Sequence, residues 1–310
     1  MHYPYLLADI GGTNTRLAPA APPRPGEVLP RLGPVTRHRN ADFPSLESLL
    51  AATGPWQPEA LCFAAAGPVS GDSVTLTNHP WTITADGLRQ ALPGLSRVVL
   101  LNDLQAVGHA LAAPPAGRVL HPGAPAPAGP RLAVNLGTGF NIAPWYPAPA
   151  GALVPAAEAG FFRIAFEPGE EPLRDHLIAE IGRLPVVEDL LSGRGLESLG
   201  RFCGTGPRRA PDIATAQDEP ARAARRLAAR ITARVLADLA MIHRPTGGIF
   251  LVGSVATGLQ AELASPDFRE TFLRRGPYEE LFEATAVTLL DSPDLPLLGT
   301  ALCLTGLMAA

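Results

Sequence analysis

The chain has 310 residues, which is long enough for two domains and a substantial buried core. Hydrophobic residues make up 46% of it and charged residues 17%, a composition that excludes an intrinsically disordered protein. The formal net charge of −4 gives no basic surface for nucleic acid, and no apolar run of about eighteen residues predicts a transmembrane helix. We therefore expect neither a nucleic-acid partner nor a membrane.

The N-terminal residues and the cysteines indicate the cellular compartment. The opening MHYPYLLADIGGTN lacks the basic segment, long apolar stretch and small-residue cleavage site of a secretory signal, so we expect a cytoplasmic protein. Cys62, Cys203 and Cys303 are far apart and show no CxxC spacing, which predicts neither a zinc site nor a disulfide framework. We expect them to be small buried hydrophobic residues.

Short apolar runs that end in turns dominate the first part of the chain. Tyr5–Ile10 is such a run and stops at Gly11-Gly12, and a returning strand from Arg16 makes this a β-hairpin. Ser45 is a candidate N-cap for a following helix, and Ala60–Ala66 predicts another buried strand.

Two polar residues follow the next predicted strand. Arg97–Leu101 predicts the strand, Asn102 and Asp103 end it, and helical spacing begins at Leu104. The pair therefore lies at the carboxyl end of a strand and the start of a helix. In open α/β sheets, ligands bind at that edge.

The pattern of a strand followed by a glycine turn returns in the second half. Arg131–Leu136 predicts a strand and Gly137–Gly139 a second glycine turn. An amphipathic helix is predicted over residues 218–243, a glycine-bounded strand over Gly247–Gly253, and a final helix from Leu297. The recurrence predicts a duplicated α/β core with a cleft between the halves.

The segment Asp9–Arg16 carries the strongest candidate chemistry. Gly11 and Gly12 let backbone N–H groups approach a phosphate without a Cβ in the way. Thr13 and Asn14 add side-chain donors, and Asp9 is placed to hold a hydrated Mg²⁺. A plain hairpin turn would use similar residues for conformational reasons, and the Gly-Lys-Ser/Thr ending of a Walker A loop is missing. The motif alone therefore leaves both interpretations open.

The order of several motifs resembles the bacterial glucokinase family of the hexokinase/actin-like ATPase superfamily. The matching segments are the first phosphate motif Asp9–Arg16, the sugar-side loop Ala66–Val69 with Leu76–Trp81, the catalytic segment Leu101–Ala106, the second phosphate motif Gly137–Gly139, the adenosine motif Gly247–Ser254 and the C-terminal helix start Leu298–Ala301. The resemblance implies an α/β protein with the two-domain actin/hexokinase-like ATPase fold, a duplicated α/β core and an interdomain cleft. We divide the chain into a smaller α/β domain, residues 1–105 plus 297–310, and a larger α/β domain, residues 106–296.

Carried over position by position, the resemblance implies an ATP-dependent hexose kinase, with glucose and its 6-hydroxyl as the expected substrate. Asp103 would be the catalytic carboxylate that accepts the proton of the sugar hydroxyl as it attacks the γ-phosphorus. The residues implied to bind the sugar are Asn78, Asn102, Asp103, Glu158, Phe161 and Glu188. Those implied to bind ATP are Asp9, Gly11, Gly12, Thr13, Asn14, Gly137, Thr138, Gly139, Gly253 and Ser254, with Asp9 holding Mg²⁺ through water. The family also implies a homodimer.

Some positions depart from the family pattern. Phe161 stands where the family has a sugar-binding histidine, and its ring neither donates nor accepts a hydrogen bond. Asn141 replaces a glycine of the second phosphate turn, where we expect its side chain to occupy space near the phosphates, and Ser254 replaces a frequent glycine. Because of these changes, functions other than ATP-dependent phosphorylation of glucose stay open.

The first alternative is a non-catalytic or weakly active sugar or nucleotide sensor on the kinase fold. A second is a kinase for a different hexose, and the phosphate donor, ATP or polyphosphate, is open as well. Glu158 and Glu188 could also be ordinary surface carboxylates.

Overall fold

The computed structural model describes residues 2–149 and 151–309. The strands are β1 (Tyr5–Ile10), β2 (Asn14–Ala21), β3 (Arg31–Leu32), β4 (Thr36–Arg39), β5 (Ala60–Ala65), β6 (Val69–Ser70), β7 (Ser73–Thr75), β8 (Thr82–Thr84), β9 (Arg97–Asn102), β10 (Arg118–His121), β11 (Arg131–Leu136), β12 (Phe140–Ala148), β13 (Gly151–Leu153), β14 (Ile249–Val252) and β15 (Val287–Leu289). The α-helices are α1 (Leu46–Thr53), α2 (Ala85–Ala91), α3 (Asp103–Ala110), α4 (Glu171–Ile181), α5 (Gly193–Phe202), α6 (Ala210–Thr215), α7 (Glu219–His243), α8 (Ser254–Gly258), α9 (Pro266–Leu273), α10 (Glu279–Ala284) and α11 (Leu295–Ala309). Short 3₁₀ helices lie at Asn40–Asp42, Ala159–Phe161, Val187–Asp189 and Gly276–Tyr278.

The chain forms two compact units. The first comprises Met1–Pro114, Pro147–Ala156 and Ser292–Ala310, and the second comprises Pro115–Tyr146 and Ala157–Asp291. These boundaries differ from the division made on the sequence, which gave residues 106–114, 147–156 and 292–296 to the larger domain. A boundary at residue 105 would cut α3, which runs unbroken from the end of β9.

The sheet of the first unit has the order β3-β2-β1-β5-β9, with β4 also paired to β2. β1 is antiparallel to β2 and parallel to β5, and β5 is parallel to β9. Leu6, Ala8 and Ile10 pack with α1 and α2 on one face, while Tyr5 and Leu7 pack with α3 and α11 on the other. Burial on both faces explains why this strand is a continuous apolar run without alternation.

The sheet of the second unit repeats that pattern. Its β11 is antiparallel to β12 and parallel to β14, and β14 is parallel to β15, with β10 added antiparallel to β15. The long helix α7 lies in the core of this unit and packs against α5, α6 and α9. Each unit therefore has an antiparallel hairpin followed by two parallel strands, which confirms the predicted duplicated α/β core.

Cysteine burial follows the sequence expectation at two of the three positions. Cys62 and Cys303 are buried in the first unit, and burial raises the pKa of the Cys62 thiol well above its ordinary value. Cys203, at the end of α5, is half-buried. Over residues 2–149 and 151–309, each helix is too short or too polar to cross a bilayer.

Candidate active site

Parallel pairing in the first unit brings several predicted residues to one sheet edge. Ile10 of β1 is level with Ala65 of β5, and Ala65 is level with Asn102 of β9. The segments that follow these three strands therefore emerge side by side. They are the glycine turn from Gly11, the loop from Ala66, and Asn102-Asp103.

The first glycine turn is braced by Asn40, a residue that the sequence analysis did not single out. Gly11 N donates to Asn14 O at 3.0 Å, which closes the turn. Asn40 is fully buried, and its Nδ2 donates to Gly11 O at 2.7 Å while its backbone N donates to Thr13 O at 2.9 Å. Its Oδ1 accepts from the buried Thr15 Oγ1 at 2.8 Å. One amide side chain thus fixes the turn to the second strand of the hairpin.

Close backbone approach explains the neighbouring glycines. A Cβ on Gly12 would lie 3.0 Å from Asn78 Cβ, so the turn and the predicted sugar-side residue are in contact. A Cβ on Gly67 would lie 2.0 Å from Thr75 O, and Thr77 N donates to Ala66 O at 3.0 Å. The loop after β5 therefore holds Asn78 beside the glycine turn.

Asp9 is held by an arginine across the hairpin. Asp9 and Arg16 are directly paired in register, and Arg16 donates to Asp9 Oδ2 from Nε at 3.0 Å and from a terminal nitrogen at 2.6 Å. Both side chains are one-fifth exposed. The other terminal nitrogen donates to Asp294 Oδ1 at 3.0 Å, and Arg16 also donates to Pro293 O. Arg16 thus joins Asp9 to the segment that precedes α11.

Asn102 and Asp103 form the N-terminus of α3. Asn102 Oδ1 accepts from Leu104 N at 2.9 Å, and Asn102 N donates to Gln105 Oε1 at 3.2 Å, which is a capping box. Asp103 is exposed, and its Oδ1 accepts from Leu104 N at 2.8 Å. The cap uses the side-chain oxygen Oδ1 of Asn102. The side-chain nitrogen Nδ2 lies 3.5 Å from Gly67 O, which is the outer limit of a hydrogen bond.

The second glycine turn connects β11 to β12 in the second unit. Gly137 N donates to Gly139 O at 3.0 Å, and Asn135 Nδ2 donates to the same oxygen at 3.3 Å. Thr138 at the tip is exposed. Gly193, the first residue of α5, donates its N–H to Gly137 O at 2.8 Å. Gly193 and Gly195 therefore lie in the first turn of α5, beside the second glycine turn.

Gly253 follows β14 and packs against the end of β11. Its φ is +101°, and a Cβ there would lie 2.4 Å from Leu136 O and 2.6 Å from Asn135 Oδ1. Only glycine is compatible with this conformation and this contact. The exposed Ser254 begins α8 directly after it. The predicted adenosine motif therefore lies next to the second glycine turn.

Glu188 and the loop that carries Glu158 and Phe161 contact the same turn. Glu188 Oε2 accepts from Phe140 N at 3.0 Å, and a Cβ on Gly139 would lie 2.6 Å from that oxygen. A Cβ on Gly160 would lie 2.4 Å from Phe140 O. Glu158 is exposed, and Phe161 is 65% exposed. The structure thus places Glu188 against the turn, and the short 3₁₀ helix between Glu158 and Phe161 against Phe140, which directly follows the turn.

Asn141, next to the second phosphate motif, uses its side chain to bind a neighbouring loop. Its Nδ2 donates to Ala157 O at 2.6 Å, and its Oδ1 accepts from Ala159 N at 2.9 Å. Its Oδ1 also accepts from Ile142 N at 2.9 Å. The side chain therefore binds the loop of residues 157–159.

Comparison with known proteins identifies the family to which the chain is similar. The model of the glucokinase family matches residues 6–307. A glucokinase from Cupriavidus metallidurans is 30% identical over an alignment 323 residues long, gaps included. The alignment covers 97% of this chain and 94% of the relative.

Solved structures show the same relationship. The crystal structure of a glucokinase from an Antarctic psychrotroph superposes with a TM-score of 0.87 at 25% identity, covering 98% of this chain and 99% of that one. A ROK family glucokinase from Streptomyces griseus, solved in complex with glucose and AMPPNP, shares the fold with a TM-score of 0.60 at 20% identity, covering 96% and 97% of the two chains. The chain therefore belongs to the glucokinase family of sugar kinases.

Proposed function

We propose that this chain transfers the γ-phosphoryl group of ATP to the 6-hydroxyl of glucose and releases glucose 6-phosphate and ADP. The observation that carries the proposal is the common edge of β1, β5 and β9. The glycine turn after β1 and the exposed Asp103 after β9 both lie at that edge, with the loop after β5 between them. A phosphoryl-transfer enzyme needs these two elements together, because its catalysis consists mainly of positioning and charge stabilisation.

Asp103 is proposed as the catalytic base. It is exposed at the start of α3, and the Leu104 N–H that binds its Oδ1 fixes the direction of the carboxylate. It would accept the proton of the sugar hydroxyl during attack on phosphorus. Asn102 and Asn78 would bind the sugar beside it, and for Asn102 the donor would be Nδ2, since Oδ1 caps the helix.

The glycine turns are proposed to bind the phosphates. In the first unit, Gly11, Gly12, Thr13 and Asn14 would supply backbone and side-chain donors. In the second unit, Gly137, Thr138 and Gly139 would do the same, and Gly253 with Ser254 would lie along the adenosine. Asp9 is proposed to hold a hydrated Mg²⁺ through Oδ1, since Oδ2 accepts both bonds from Arg16. Mg²⁺ keeps several waters and uses one or two carboxylates together with substrate phosphates. When bound, the ion would neutralise charge on the transferred group.

Glu158, Phe161 and Glu188 are proposed to line the sugar site of the second unit. Glu188 already accepts from Phe140 N through Oε2, so Oε1 is the oxygen proposed to face the sugar. Phe161 is 65% exposed and offers a ring face rather than a hydrogen bond. This favours a second candidate, a hexose other than glucose whose apolar face stacks on the ring. We also propose a cytoplasmic homodimer, as the family implies.

A coupled ADP-release assay with MgATP across a panel of hexoses tests the proposal. We expect glucose or one other hexose to stimulate turnover, and Asp103→Asn to reduce kcat by about 10²–10⁴-fold. Asp86→Asn is the matched control, since Asp86 also lies in the first turn of a helix and is exposed, and its kcat should be unchanged.

The other outcomes separate the alternatives. Turnover with polyphosphate in place of ATP would change the proposed donor. Sugar or nucleotide binding by calorimetry without any turnover would replace the kinase with the sensor. Equal activity of the Asp103→Asn variant and the wild type would remove Asp103 as the base.

A further inference from the structure

The loop that carries Glu158 is attached to the rest of the second unit by specific polar contacts. Glu158 precedes the short 3₁₀ helix Ala159–Phe161, and Phe161 N donates back to Glu158 O at 3.2 Å. At its far end, Val187 N donates to Phe162 O at 3.0 Å. Glu158 and Phe161 themselves are exposed, so their side chains depend on the loop backbone for their placement.

Asn141 holds this loop on both sides of Glu158. Its Nδ2 donates to the carbonyl before Glu158, at Ala157, and its Oδ1 accepts from the N–H after it, at Ala159, with distances of 2.6 and 2.9 Å. One amide thus satisfies a donor and an acceptor that flank a single residue. This geometry fixes the backbone orientation of Glu158, since the two peptide groups that define it are both bound.

We infer that Asn141 is a positioning residue that sets the affinity of this kinase for its sugar without touching the sugar. Asn141 lies in β12 directly opposite Asn135 of β11, and the preceding Phe140 contacts both Glu188 and Gly160. The strand that leaves the phosphate turn therefore orients the sugar loop. The inference rests on the proposed function, because it assumes that Glu158 binds the sugar.

Two substitutions at this position separate the two hydrogen bonds. Asn141→Ala removes both bonds to the loop and the bond that Oδ1 accepts from Ile142 N. Asn141→Asp keeps an acceptor for Ala159 N but turns a carboxylate oxygen toward Ala157 O, which repels it. We expect both variants to raise KM for the sugar by about tenfold, the effect of losing roughly one or two net hydrogen bonds. KM for ATP should change less than twofold.

Asn135→Ala is the matched control. It removes an amide from the cross-strand position, where Asn135 Nδ2 donates to Gly139 O of the phosphate turn. We expect the opposite selectivity, a raised KM for ATP with an unchanged KM for the sugar. If the Asn141 variants raise KM for ATP instead, or leave KM for the sugar unchanged, Asn141 does not position the sugar loop.

A readout that does not depend on turnover keeps this test separate from the proposed function. Amide hydrogen exchange in the peptide spanning residues 157–161 should be faster in Asn141→Ala than in wild type and unchanged in Asn135→Ala. Unchanged exchange in Asn141→Ala would overturn the inference even if the enzyme phosphorylates glucose. Faster exchange with no effect on sugar Kd by calorimetry would equally overturn it. A wild-type chain that neither binds nor phosphorylates any sugar would refute the proposed function instead, and the inference with it.

Discussion

Replacing Asn40 with alanine removes both side-chain hydrogen bonds that brace the turn after β1. The Thr15 hydroxyl is fully buried and loses its acceptor, at a cost of about 1–3 kcal/mol. The Gly11 carbonyl is half-buried and loses its donor, which adds about 1 kcal/mol because water can partly replace it. We therefore expect Asn40→Ala to lower the free energy of unfolding by about 2–4 kcal/mol.

Urea unfolding followed by circular dichroism measures this loss as a shift of the midpoint. Asp42→Ala is the control, because Asp42 lies in the same short 3₁₀ helix but is exposed, and its substitution should cost less than about 0.5 kcal/mol. The turn that loses its brace is the proposed phosphate-binding turn. KM for ATP should therefore rise several-fold in Asn40→Ala and stay unchanged in Asp42→Ala.

A double-mutant cycle with Thr15→Val isolates the contact. With the hydroxyl removed first, replacing Asn40 leaves the Gly11 carbonyl without its donor but no unpaired hydroxyl at position 15, so the two losses should fall short of additivity by about 1 kcal/mol. The reasoning is refuted if Asn40→Ala costs less than about 0.5 kcal/mol, or if the two substitutions are strictly additive.

Two further predictions concern the stability effects of substitutions at Gly253 and Glu180. Gly253→Ala combines a φ of +101° with a Cβ placed 2.4 Å from the Leu136 carbonyl oxygen, whereas Gly204→Ala has a φ of +90° and no atom within 4 Å of the new Cβ. We therefore expect Gly253→Ala to lower the melting temperature much more than Gly204→Ala. Equal shifts would mean that the backbone conformation alone determines the loss of stability. The pKa of Glu180 is lowered from 4.5 to about 2. The main cause is the hydrogen bond from Arg201, and the bond from Ser198 adds to it, while partial burial acts in the opposite direction. The folded-state pKa is therefore below the unfolded one, so this carboxylate stabilises the protein above about pH 4.5 and the stabilisation is lost as the pH falls toward 2. The stability difference between wild type and Glu180→Gln, measured from pH 7 to pH 2, should shrink over that window; a constant difference would contradict the assignment.

Local sequence patterns predicted the elements that carry the site. The apolar run of β1 ending in two glycines, and a polar pair between β9 and α3, are formed by residues close together in the chain. Ser45 was expected to cap α1, and its side chain accepts from Ser48 N at 3.2 Å. Signals of this kind are readable because turn and cap preferences depend on a few neighbouring residues.

The braces of the two turns were not predictable in this way. Asn40 reaches Gly11 across 29 positions in the chain, and nothing in the surrounding Arg39-Asn40-Ala41 marks it. The direction of the Asn141 side chain depends on where the loop at residue 157 returns, 16 positions later. Both contacts are consequences of tertiary packing, which decides side-chain direction after the local structure is set.

The two units hold their corresponding glycine turns by different residues. If the repeated hairpin with its two parallel strands arose by gene duplication, the ancestral turn was inherited twice. Yet the amide that fastens it comes from Asn40, outside the hairpin, in one copy and from Asn135, within the hairpin, in the other. The corresponding turns of the two units are therefore held by amides from different places in the chain, so a substitution that loosens one turn leaves the other intact.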